Sequence, residues 1–295
     1  MQIRQLEYVV ALARERHFGR AAAACHVSQP SLSGGIRALE AELGVPIVIR
    51  GRSYGGLTPE GERVVAWAHR ILADADGLRD DLAAMRGALT GRLRLGAIPT
   101  ALPISSQLTA ALAETHPGIR VTVYSLTSRE IERRLLEFEL DAGITYLDNE
   151  PLTGVRGVPI ARERYVLYVR RDDPVAHRDA LTWREAAGLP LCLLTRDMQN
   201  RRIVDAAFTT ADAAPEPRIE SDDIVPLWEH VAQGGWCTIG PTSWRERGAL
   251  PDGIVAVPLE DPVVEKQIGV VVPDRDPLPT ITRALLDAAR AEALN

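Results

Sequence analysis

Two short helical segments around a tight turn, in residues 18–43, constrain the fold of this chain more than any other feature. The first contains the run Ala21–Ala24, whose small side chains permit close packing across the turn. The second has a good N-cap at Ser28 and Pro30 in its first turn, where a missing N–H does no harm. Its apolar residues recur at spacings of four, three and four, which predicts one buried face. That face consists of Leu32, Ile36, Leu39 and Leu43.

The opposite surface of helix 28–42 consists of small, polar and cationic side chains, as in a helix that lies in the major groove of DNA. Gln and Arg side chains form paired hydrogen bonds with base edges, and Ser contacts a base or a phosphate. The segment therefore predicts a helix-turn-helix whose second helix reads DNA. The alternative is a small helical hairpin with a solvated polar face. The residues expected to contact DNA from this helix are Ser28, Gln29, Pro30, Ser31, Ser33 and Arg37.

A short hairpin is expected directly after this helix. Residues 45–50 read as a strand, the Gly- and Arg-rich stretch 51–56 as a turn, and Leu57-Thr58 as the returning chain. Such a wing suits phosphate or minor-groove contacts through the side chains at its tip, and a solvated surface turn is the alternative. The candidate wing contacts are Arg50, Arg52 and Tyr54.

The charge of the chain is unevenly distributed. Residues 1–58 carry seven Arg and four Glu, a net charge of +3, whereas the whole chain carries −6, so the remainder carries −9. The acidic total therefore does not argue against DNA binding, because the positive charge is local to the segment expected to bind it.

A single long helix is predicted over residues 59–90. Thr58 supplies a capping hydroxyl, and Pro59 and Glu60 suit the first turn. The apolar residues of this helix alternate at spacings of four and three, which is typical of a seam between two helices and predicts self-association. The alternative is an amphipathic helix packed on its own domain. The predicted seam consists of Val64, Ala68, Ile71, Ala75, Leu78, Leu82 and Met85, with Leu89 at its end.

From residue 91 onward, strands alternate with helices, which predicts an α/β domain with a parallel sheet. Two stretches, near 161–164 and 264–267, read as crossings between two lobes. The expected domains are therefore 1–58 for DNA binding, 59–90 for dimerisation and 91–295 for ligand binding. Lobe I would cover about 91–162 and 266–295, and lobe II about 163–265. Predicted strands are 92–98, 119–126, 142–146, 165–170, 190–195, 217–221, 236–240 and 267–272; predicted helices are 103–116, 128–138, 199–211, 223–233 and 279–293.

A ligand site is expected where strands end and helices begin, because open α/β sheets bind ligands beyond the carboxyl ends of their strands. Hydroxyls and backbone N–H groups there suit a small anion such as a carboxylate, although N-capping alone also explains a Thr or Ser. Arg196, Arg201 and Arg202 could add positive charge, with Arg201 and Arg202 expected to be solvated. The candidate effector contacts are Thr100, Thr127, Ser128, Thr145, Met198, Gln199 and Asn200.

Several classes of function lack their signals in the sequence. The start of the chain has no apolar signal region and no run reaches transmembrane length, which predicts a cytoplasmic protein without membrane contacts. Cys25, Cys192 and Cys237 form no CxxC pair, so we expect core thiols and neither a metal site nor a redox pair. Without a phosphate loop or nucleophile elbow, we expect no cofactor and no enzymatic activity.

Residues 18–61 carry a resemblance to a known family. The run with Phe18, Ala21-Ala22, Val27 to Ser33, Ile36, Leu39-Glu40, Leu43 to Pro46, Arg50, Leu57-Thr58 and Gly61 closely resembles the DNA-binding domain of LysR-type transcriptional regulators. Gly34 and Gly35 depart from it, since larger polar residues are usual there, and would remove two groove-contacting side chains. Ile47-Val48 also departs from the usual Leu-Phe pair.

The resemblance implies a fold and a mode of action for the whole chain. The implied fold is an N-terminal winged helix-turn-helix, a long dimerising linker helix and a two-lobed effector domain like that of periplasmic solute-binding proteins. Members are usually tetramers. Thr100 and Thr127-Ser128 match effector-contacting positions of the family. The stretch 198–202 is weakly similar to regulators of one-carbon (formate) metabolism.

We therefore expect a transcriptional regulator that binds double-stranded operator DNA as a dimer of dimers and responds to a small-molecule effector, a small anion or carboxylate. RNA polymerase would be a further partner. Two alternatives remain. One is a cytoplasmic solute-binding module or enzyme built on the two-lobed fold. The other is an architectural DNA binder with a ligand-blind C-terminal domain.

Overall fold

The structure, a computed structural model, describes residues 1–51, 54–87, 89–150, 152–246 and 250–292. The side chains of Arg50, Glu246 and Glu292 lie outside that description. The chain divides into two compact units. The first comprises Met1–Gly87 with Glu137–Glu139, and the second comprises Ala88–Leu136 and Leu140–Asn295.

The first unit begins as a helical bundle with a two-stranded wing. Its elements are α1 (Ile3–Glu15), α2 (Phe18–Ala24), α3 (Gln29–Leu43), β1 (Val48–Arg50), β2 (Tyr54–Leu57) and α4 (Pro59–Ala84). Side chains cap three of these helices: His17 Nδ1 accepts from the backbone N–H groups of Gly19 and Arg20, Ser28 caps α3, and Thr58 caps α4. The first unit thus contains the predicted helix-turn-helix, in which α2 is the first helix and α3 is the second.

The buried face of α3 is one residue shorter than predicted. Leu32, Ile36 and Leu39 are buried in the core of the first unit, but Leu43 is 41% exposed. Leu43 is the last residue of α3, and Gly44 turns the chain away in the left-handed conformation. The apolar pattern of the sequence therefore includes Leu43, although the last turn of α3 has no core to pack against.

The first wing strand is also shorter than the predicted 45–50. Glu40 on α3 explains this, because its Oε1 accepts the backbone N–H groups of Ile47 at 2.9 Å and Val48 at 3.2 Å. The Ile47 carbonyl in turn accepts the N–H of Thr58 at 3.0 Å. Ile47 is therefore held by side-chain and linker contacts, and pairing with β2 starts only at Val48, opposite Leu57.

Helix α4 ends at Ala84, so the predicted helix 59–90 is six residues too long at its C-terminus. The chain turns through Gly87, whose φ of 87° suits glycine, and the next strand begins at Thr90. The predicted seam divides into two parts. Val64, Ala68 and Ile71 pack with the core of the first unit, as the alternative of a helix packed on its own domain requires. Leu78, Leu82 and Met85 are exposed and remain the candidates for self-association.

The second unit is a mixed α/β domain. Its elements, in order, are β3 (Thr90–Ala97), α5 (Leu102–Thr115), β4 (Gly118–Ser125), α6 (Ser128–Leu136), β5 (Ala142–Tyr146), β6 (Val155–Arg170), β7 (Leu181–Thr182), α7 (Trp183–Ala187), β8 (Cys192–Leu194), α8 (Gln199–Thr210), β9 (Ile219–Ser221), α9 (Ile224–Gln233), β10 (Thr238–Pro241), α10 (Ser243–Glu246), β11 (Ile254–Glu260), β12 (Glu265–Pro273) and α11 (Thr280–Glu292). Short 3-10 turns lie at Pro99–Ala101 and Pro174–His177.

The large sheet of this unit is mixed, and the prediction of a parallel sheet is wrong in that respect. Its strand order is β4-β3-β5-β12-β6-β11-β7, with β10 also paired to β6. Strand β3 is parallel to β4 and β5, whereas β12 is antiparallel to both β5 and β6. Strands β8 and β9 form a separate parallel pair. The returning strand β12 reverses the direction, which alternation of strands and helices along the chain does not reveal.

Strand β6 is one continuous strand of 16 residues that belongs to two groups of strands. Its first part, 155–164, pairs with β12, and its second part, from Tyr165, pairs with β10 and β11. We call the described parts of 90–164 and 265–292 the first lobe, and those of 165–260 the second lobe. The domain and lobe boundaries expected from the sequence remain predictions.

Apolar side chains fill both lobes. In the second lobe, the rings of Tyr168, Trp228 and Trp244 pack together with centroids 4.8–5.5 Å apart. Among the described residues, no helix combines the length and apolar character needed to cross a membrane.

Candidate DNA-reading surface and effector cleft

The start of α3 presents a polar surface. Ser28 Oγ accepts the backbone N–H of Ser31 at 3.3 Å and lies 2.8 Å from the Ser31 hydroxyl. Gln29, Pro30 and Ser31 are exposed, as is Arg37 two turns later, while Ser33 is half-buried. The structure therefore places the predicted reading residues of α3 where a DNA groove could reach most of them, although Ser28 is partly used in capping.

The two glycines of α3 have different surroundings. A Cβ on Gly34 would meet nothing within 4 Å, whereas a Cβ on Gly35 would lie 2.7 Å from the Tyr8 ring. Gly35 thus permits α1 to pack closely against α3. The expectation that it removes a groove-contacting side chain is wrong, because this position faces the core and not the reading surface.

The wing places Tyr54 differently from its predicted role. Its ring packs edge-on against Phe18, with ring centroids 6.3 Å apart, and its partial burial raises the pKa of the phenol. Tyr54 therefore fastens the wing to α2 in addition to any contact it makes with DNA. Arg50 lies at the end of β1, and Arg52 lies outside the described residues.

The junction between wing and linker depends on a close backbone approach. Thr58 Oγ1 accepts the N–H of Gly61 at 2.9 Å and donates to the Pro46 carbonyl at 2.6 Å. Gly61 is buried, and a Cβ there would collide with the Ile47 carbonyl. Thr58 and Gly61 belong to the motif quoted above, but a single sequence gives no reason why glycine is needed at position 61.

The predicted effector residues converge between the two lobes of the second unit. Thr100, Thr127 and Ser128 come from the first lobe, and Met198, Gln199 and Asn200 from the start of α8 in the second. The cavity that they line with Ile98, Pro99 and Leu194 is too small to hold a water molecule in this arrangement of the lobes. Thr145 joins the group by donating from Oγ1 to Gln199 Oε1 at 2.9 Å. The lobes are therefore closed on the cavity.

Hydrogen-bonding groups in this cavity are left without partners. Gln199 is 2% exposed and its Nε2 has no hydrogen-bond partner; Thr100 is 1% exposed, and its hydroxyl, near the Tyr146 phenol, lacks a partner of normal geometry. No side chain caps the first turn of α8, which begins at Gln199. Uncapped N–H groups and the positive end of the helix dipole attract anions. The cavity therefore offers donors rather than acceptors.

A chain of buried phenols lies behind the cavity. The Tyr165 hydroxyl donates to the Tyr146 hydroxyl at 3.0 Å and accepts from Asn200 Nδ2 at 3.3 Å. Burial raises the pKa of both phenols, and the nearby carboxyl of Glu163 raises them further. Both phenols therefore stay protonated and link the lobes by neutral hydrogen bonds. The sequence did not single out Tyr165, because a Tyr in an apolar strand reads as core.

Thr127 follows the capping alternative. Its hydroxyl accepts the N–H of Glu130 at 3.2 Å, and the Glu130 carboxylate accepts the N–H and hydroxyl of Thr127, also at 3.2 Å. This capping box uses both groups that a ligand would need. Thr127 contributes to the shape of the cavity without a free donor in the closed cleft.

The two arginines after Asn200 differ from the expectation that both are solvated. Arg201 is 2% exposed and donates to the Leu194 carbonyl and to Asp205, both at 2.8 Å, and to Glu220. Arg202 is partly exposed and pairs with Glu150. Arg201 is therefore a structural residue, because three partners inside the second lobe hold its buried guanidinium.

A wider opening beside the cavity is acidic. It is lined by Glu130, Asp197, Asp222 and Asp223, together with Pro99, Ser125, Leu126, Thr127 and Met198. Asp223 caps α9 and Glu130 caps α6, so these carboxylates have structural partners. The negative charge of this opening disfavours polyanions beside the cavity more strongly than monoanions.

The cysteines are poor candidates for redox chemistry. Cys192 and Cys237 are buried, and burial raises the pKa of Cys192 to about 11 and that of Cys237 to about 12. Cys25 is half-buried with a raised pKa. The thiolate is the reactive form, so raised pKa values make these thiols slow to react. Within the described ranges, no cluster of His, Cys, Asp and Glu could hold a metal ion.

Comparison with known families follows the same division of the chain. The model for "Bacterial regulatory helix-turn-helix protein, lysR family" matches residues 3–62, and the model for "LysR substrate binding domain" matches residues 86–294. The chain belongs to the LysR family. It is a DNA-binding transcriptional regulator of the LysR type with an effector-binding domain, which confirms the family expected from residues 18–61.

Relatives of this LysR-family regulator match it along its whole length. The "DNA-binding transcriptional dual regulator OxyR" of Escherichia coli (strain K12) is 31% identical over 292 residues, 99% of this chain and 95% of the relative. A full-length OxyR structure from Pseudomonas aeruginosa has a TM-score of 0.78 at 30% identity, with 98% of each chain covered. Full-length CbnR bound to its target DNA has a TM-score of 0.69 at 25% identity, covering 99% of this chain and 100% of that one.

Proposed function

We propose that this LysR-type regulator responds to a small anion, such as a carboxylate, that binds between the lobes of its effector domain. The observation that carries the proposal is the uncapped start of α8, beside the unpartnered Gln199 Nε2 and Thr100 hydroxyl. These donors are almost completely buried, so leaving them unsatisfied is unfavourable, and an anion would satisfy them together. The closed cavity has no space for an ion, so even a one-carbon acid such as formate would bind only after the lobes move apart.

The same cleft suggests how the effector acts on DNA binding. Because the cavity is closed, a ligand enters only when the lobes move apart, and it then stabilises whichever arrangement it contacts best. A regulator of this kind switches only if the effector binds the two arrangements with different affinities. We propose that this difference alters the arrangement of subunits on double-stranded operator DNA, and through it the contact with RNA polymerase.

We further propose that the protein acts as a dimer of dimers. Support comes from the exposed apolar side chains of Leu78 and Leu82 on the second half of α4 and of Met85 at its C-cap. Trp67, about three turns before Leu78 on the same side of the helix, is also exposed. A soluble helix that leaves such a stripe exposed gains stability when a second helix covers it. Two-fold symmetry would also let α3 of each protomer read one half-site.

Ligand-induced stabilisation of the full-length protein tests the effector. Thermal unfolding would be followed with formate, acetate, succinate, sulfate and phosphate at constant ionic strength. A ligand at about a hundred times its Kd stabilises the native state by roughly 2.7 kcal/mol. We expect at least one carboxylate to raise the melting temperature of the wild type but not of the Thr100→Val/Gln199→Leu variant.

Thr122→Val is the matched control, because Thr122 is an exposed residue on β4. It should respond to the anion like the wild type. A flat response of the wild type to every anion would contradict the anion proposal. Stabilisation that leaves the operator footprint unchanged would show that the anion binds without controlling DNA binding, which would contradict its role as effector.

A further inference from the structure

One ion pair of the cleft joins the two lobes. Arg202 lies near the start of α8 in the second lobe, and Glu150 lies between β5 and β6 in the first. Arg202 Nε donates to Glu150 Oε1 and Nη2 donates to Oε2, each at 2.6 Å. Arg202 Nη1 donates to the Asp197 carbonyl at 2.6 Å, which fixes the guanidinium on its own lobe. Side-chain exposures of 22% for Arg202 and 33% for Glu150 leave the pair within reach of solvent.

Other groups of the first lobe surround the same carboxylate. Arg202 Nη2 also donates to Ser128 Oγ at 3.2 Å. The Arg202 hydrogen bond is the largest cause that holds the pKa of Glu150 below its usual range, and the Arg129 guanidinium and the Ser128 hydroxyl contribute. One carboxylate thus lies among two guanidinium groups and a hydroxyl. Such a donor set also binds carboxylates, sulfate or phosphate from solution.

Opening of the cleft would separate this pair. Ser128 lines the cavity and also contacts Arg202, so the ion pair lies directly beyond the cavity wall. A ligand enters only when the lobes move apart, and that movement draws Arg202 away from Glu150 and Ser128. The guanidinium then loses its partner at the same time as an incoming ligand reaches it. An unpaired, partly buried guanidinium is unfavourable, and an anion restores its pairing.

We propose that Glu150 is a resident substitute for an external anion: its carboxylate occupies the position formed by Arg202 and Ser128 in the closed cleft, and the anionic group of an effector takes that position in competition with it. The inference rests on the proposed function, because it locates one charged group of the same effector. Arg202, and not Arg201, then selects for negative charge, since Arg201 is fixed by Leu194, Asp205 and Glu220.

Removal of the competing charge from the full-length protein tests this inference. Isothermal titration at constant ionic strength would measure binding of sulfate and of succinate to the wild type and to Glu150→Gln. The amide keeps the shape of the carboxylate but competes weakly for a guanidinium, so we expect Kd to fall at least ten-fold for one of the two anions. Glu150→Asp, which keeps the charge but shortens its reach, should give a smaller gain in the same direction.

Two controls separate competition from a general change in charge. Asp287→Asn removes a carboxylate from the exposed pair with Arg290 on α11, 2.7 Å apart, and should leave Kd unchanged. Combining Glu150→Gln with Arg202→Gln should cancel the gain in affinity. The inference is wrong if Glu150→Gln binds neither anion, if its Kd stays within two-fold of the wild type, or if the double variant keeps the gain.

The same variants distinguish a failure of this inference from a failure of the proposed function. If Thr100→Val/Gln199→Leu abolishes anion binding while Glu150→Gln has no effect, the cavity binds the effector and the competition is disproved. If Glu150→Gln gains affinity that the Thr100→Val/Gln199→Leu changes do not remove, the Arg202 position binds anions and the cavity proposal is wrong.

Discussion

Gly61 leaves no space for a side chain in the DNA-binding fold. It lies in the first turn of α4, and a Cβ there would collide with the Ile47 carbonyl, a backbone atom that cannot rotate away. The neighbouring contacts of Thr58 with Pro46 and Gly61 depend on the same close approach. A single methyl group would therefore push the wing away from the linker helix.

We expect Gly61→Ala to destabilise the first unit by about 1–3 kcal/mol, the range for overpacking of a well-packed core. Amide hydrogen exchange in α1 to α3 would measure this loss. Gly34→Ala is the control, because nothing lies within 4 Å of the added Cβ, and it should stabilise α3 by about 0.5–1 kcal/mol. Equal exchange rates in Gly61→Ala and the wild type would contradict the steric argument.

Residue identities alone did not reveal which charges and glycines are structural. Gly35 and Arg201 occupy segments that look exposed in sequence, yet Gly35 meets the Tyr8 ring and Arg201 is buried among two carboxylates and a carbonyl. Glu220 is nineteen residues from Arg201, and Tyr8 lies still farther along the chain from Gly35, so local patterning does not contain these two contacts. Ser28, by contrast, was predictable as a cap because its partner is three residues away.

Among the elements, helix α4 shows how a regular apolar spacing can serve two purposes. Its first half packs with α1 through Val64, Ala68 and Ile71, while Leu78 is 62% exposed and Met85 is 84% exposed. The heptad spacing was visible in the sequence, but the partner of each half was not. The second half is therefore the part of the helix available for self-association.

We expect Leu78→Asp to dissociate the oligomer while the fold of each chain persists, because a carboxylate on the stripe would be buried in a helix pair without a partner. Light scattering would detect the loss of mass. Ala66→Asp introduces the same charge at an exposed position of α4 off the stripe and should leave the mass unchanged. An unchanged mass for Leu78→Asp would show that association uses another surface.

The order of helices and strands was largely predictable, but the direction of the sheet was not. Helix α8 begins at Gln199 as its sequence pattern indicates, and the convergence of Thr100, Ser128 and Gln199 followed from the rule for strand ends. The first half of β6 reads as an irregular stretch, because Gly157 and Pro159 interrupt its alternation. Its pairing with β12 joins residues about a hundred positions apart, which no local pattern specifies.

At the scale of the whole molecule, charge separates the surface that attracts DNA from the surface that repels it. Residues 1–58 carry +3 and the remaining residues carry −9. Phosphates therefore attract the helix-turn-helix and repel the effector domain, which orients the protein before any base contact forms. Arg37 on α3 is exposed and belongs to the positively charged residues 1–58 that attract DNA.

We expect Arg37→Ala to weaken operator binding, and the salt dependence of the remaining affinity identifies its partner. Loss of a phosphate contact reduces the slope of log affinity against log salt by about one, whereas loss of a base contact costs about 1–3 kcal/mol and relaxes specificity at one base pair. Arg184→Ala, in the acidic second unit, is the control and should change neither quantity. Unaltered operator affinity for Arg37→Ala would remove this residue from the reading surface.

The unbroken course of β6 has a mechanical consequence. A strand rises about 3.3 Å per residue, so the ten residues before Tyr165 form an arm of roughly 33 Å. Bending this arm by about 10° where the strand changes partners would move its far end by roughly 6 Å, given that length. A small change of angle between the lobes would therefore displace the far end of the strand by several ångströms. In this proposal the strand acts as a lever that pivots at Tyr165, which contacts Tyr146 and Asn200 beside the proposed effector cavity.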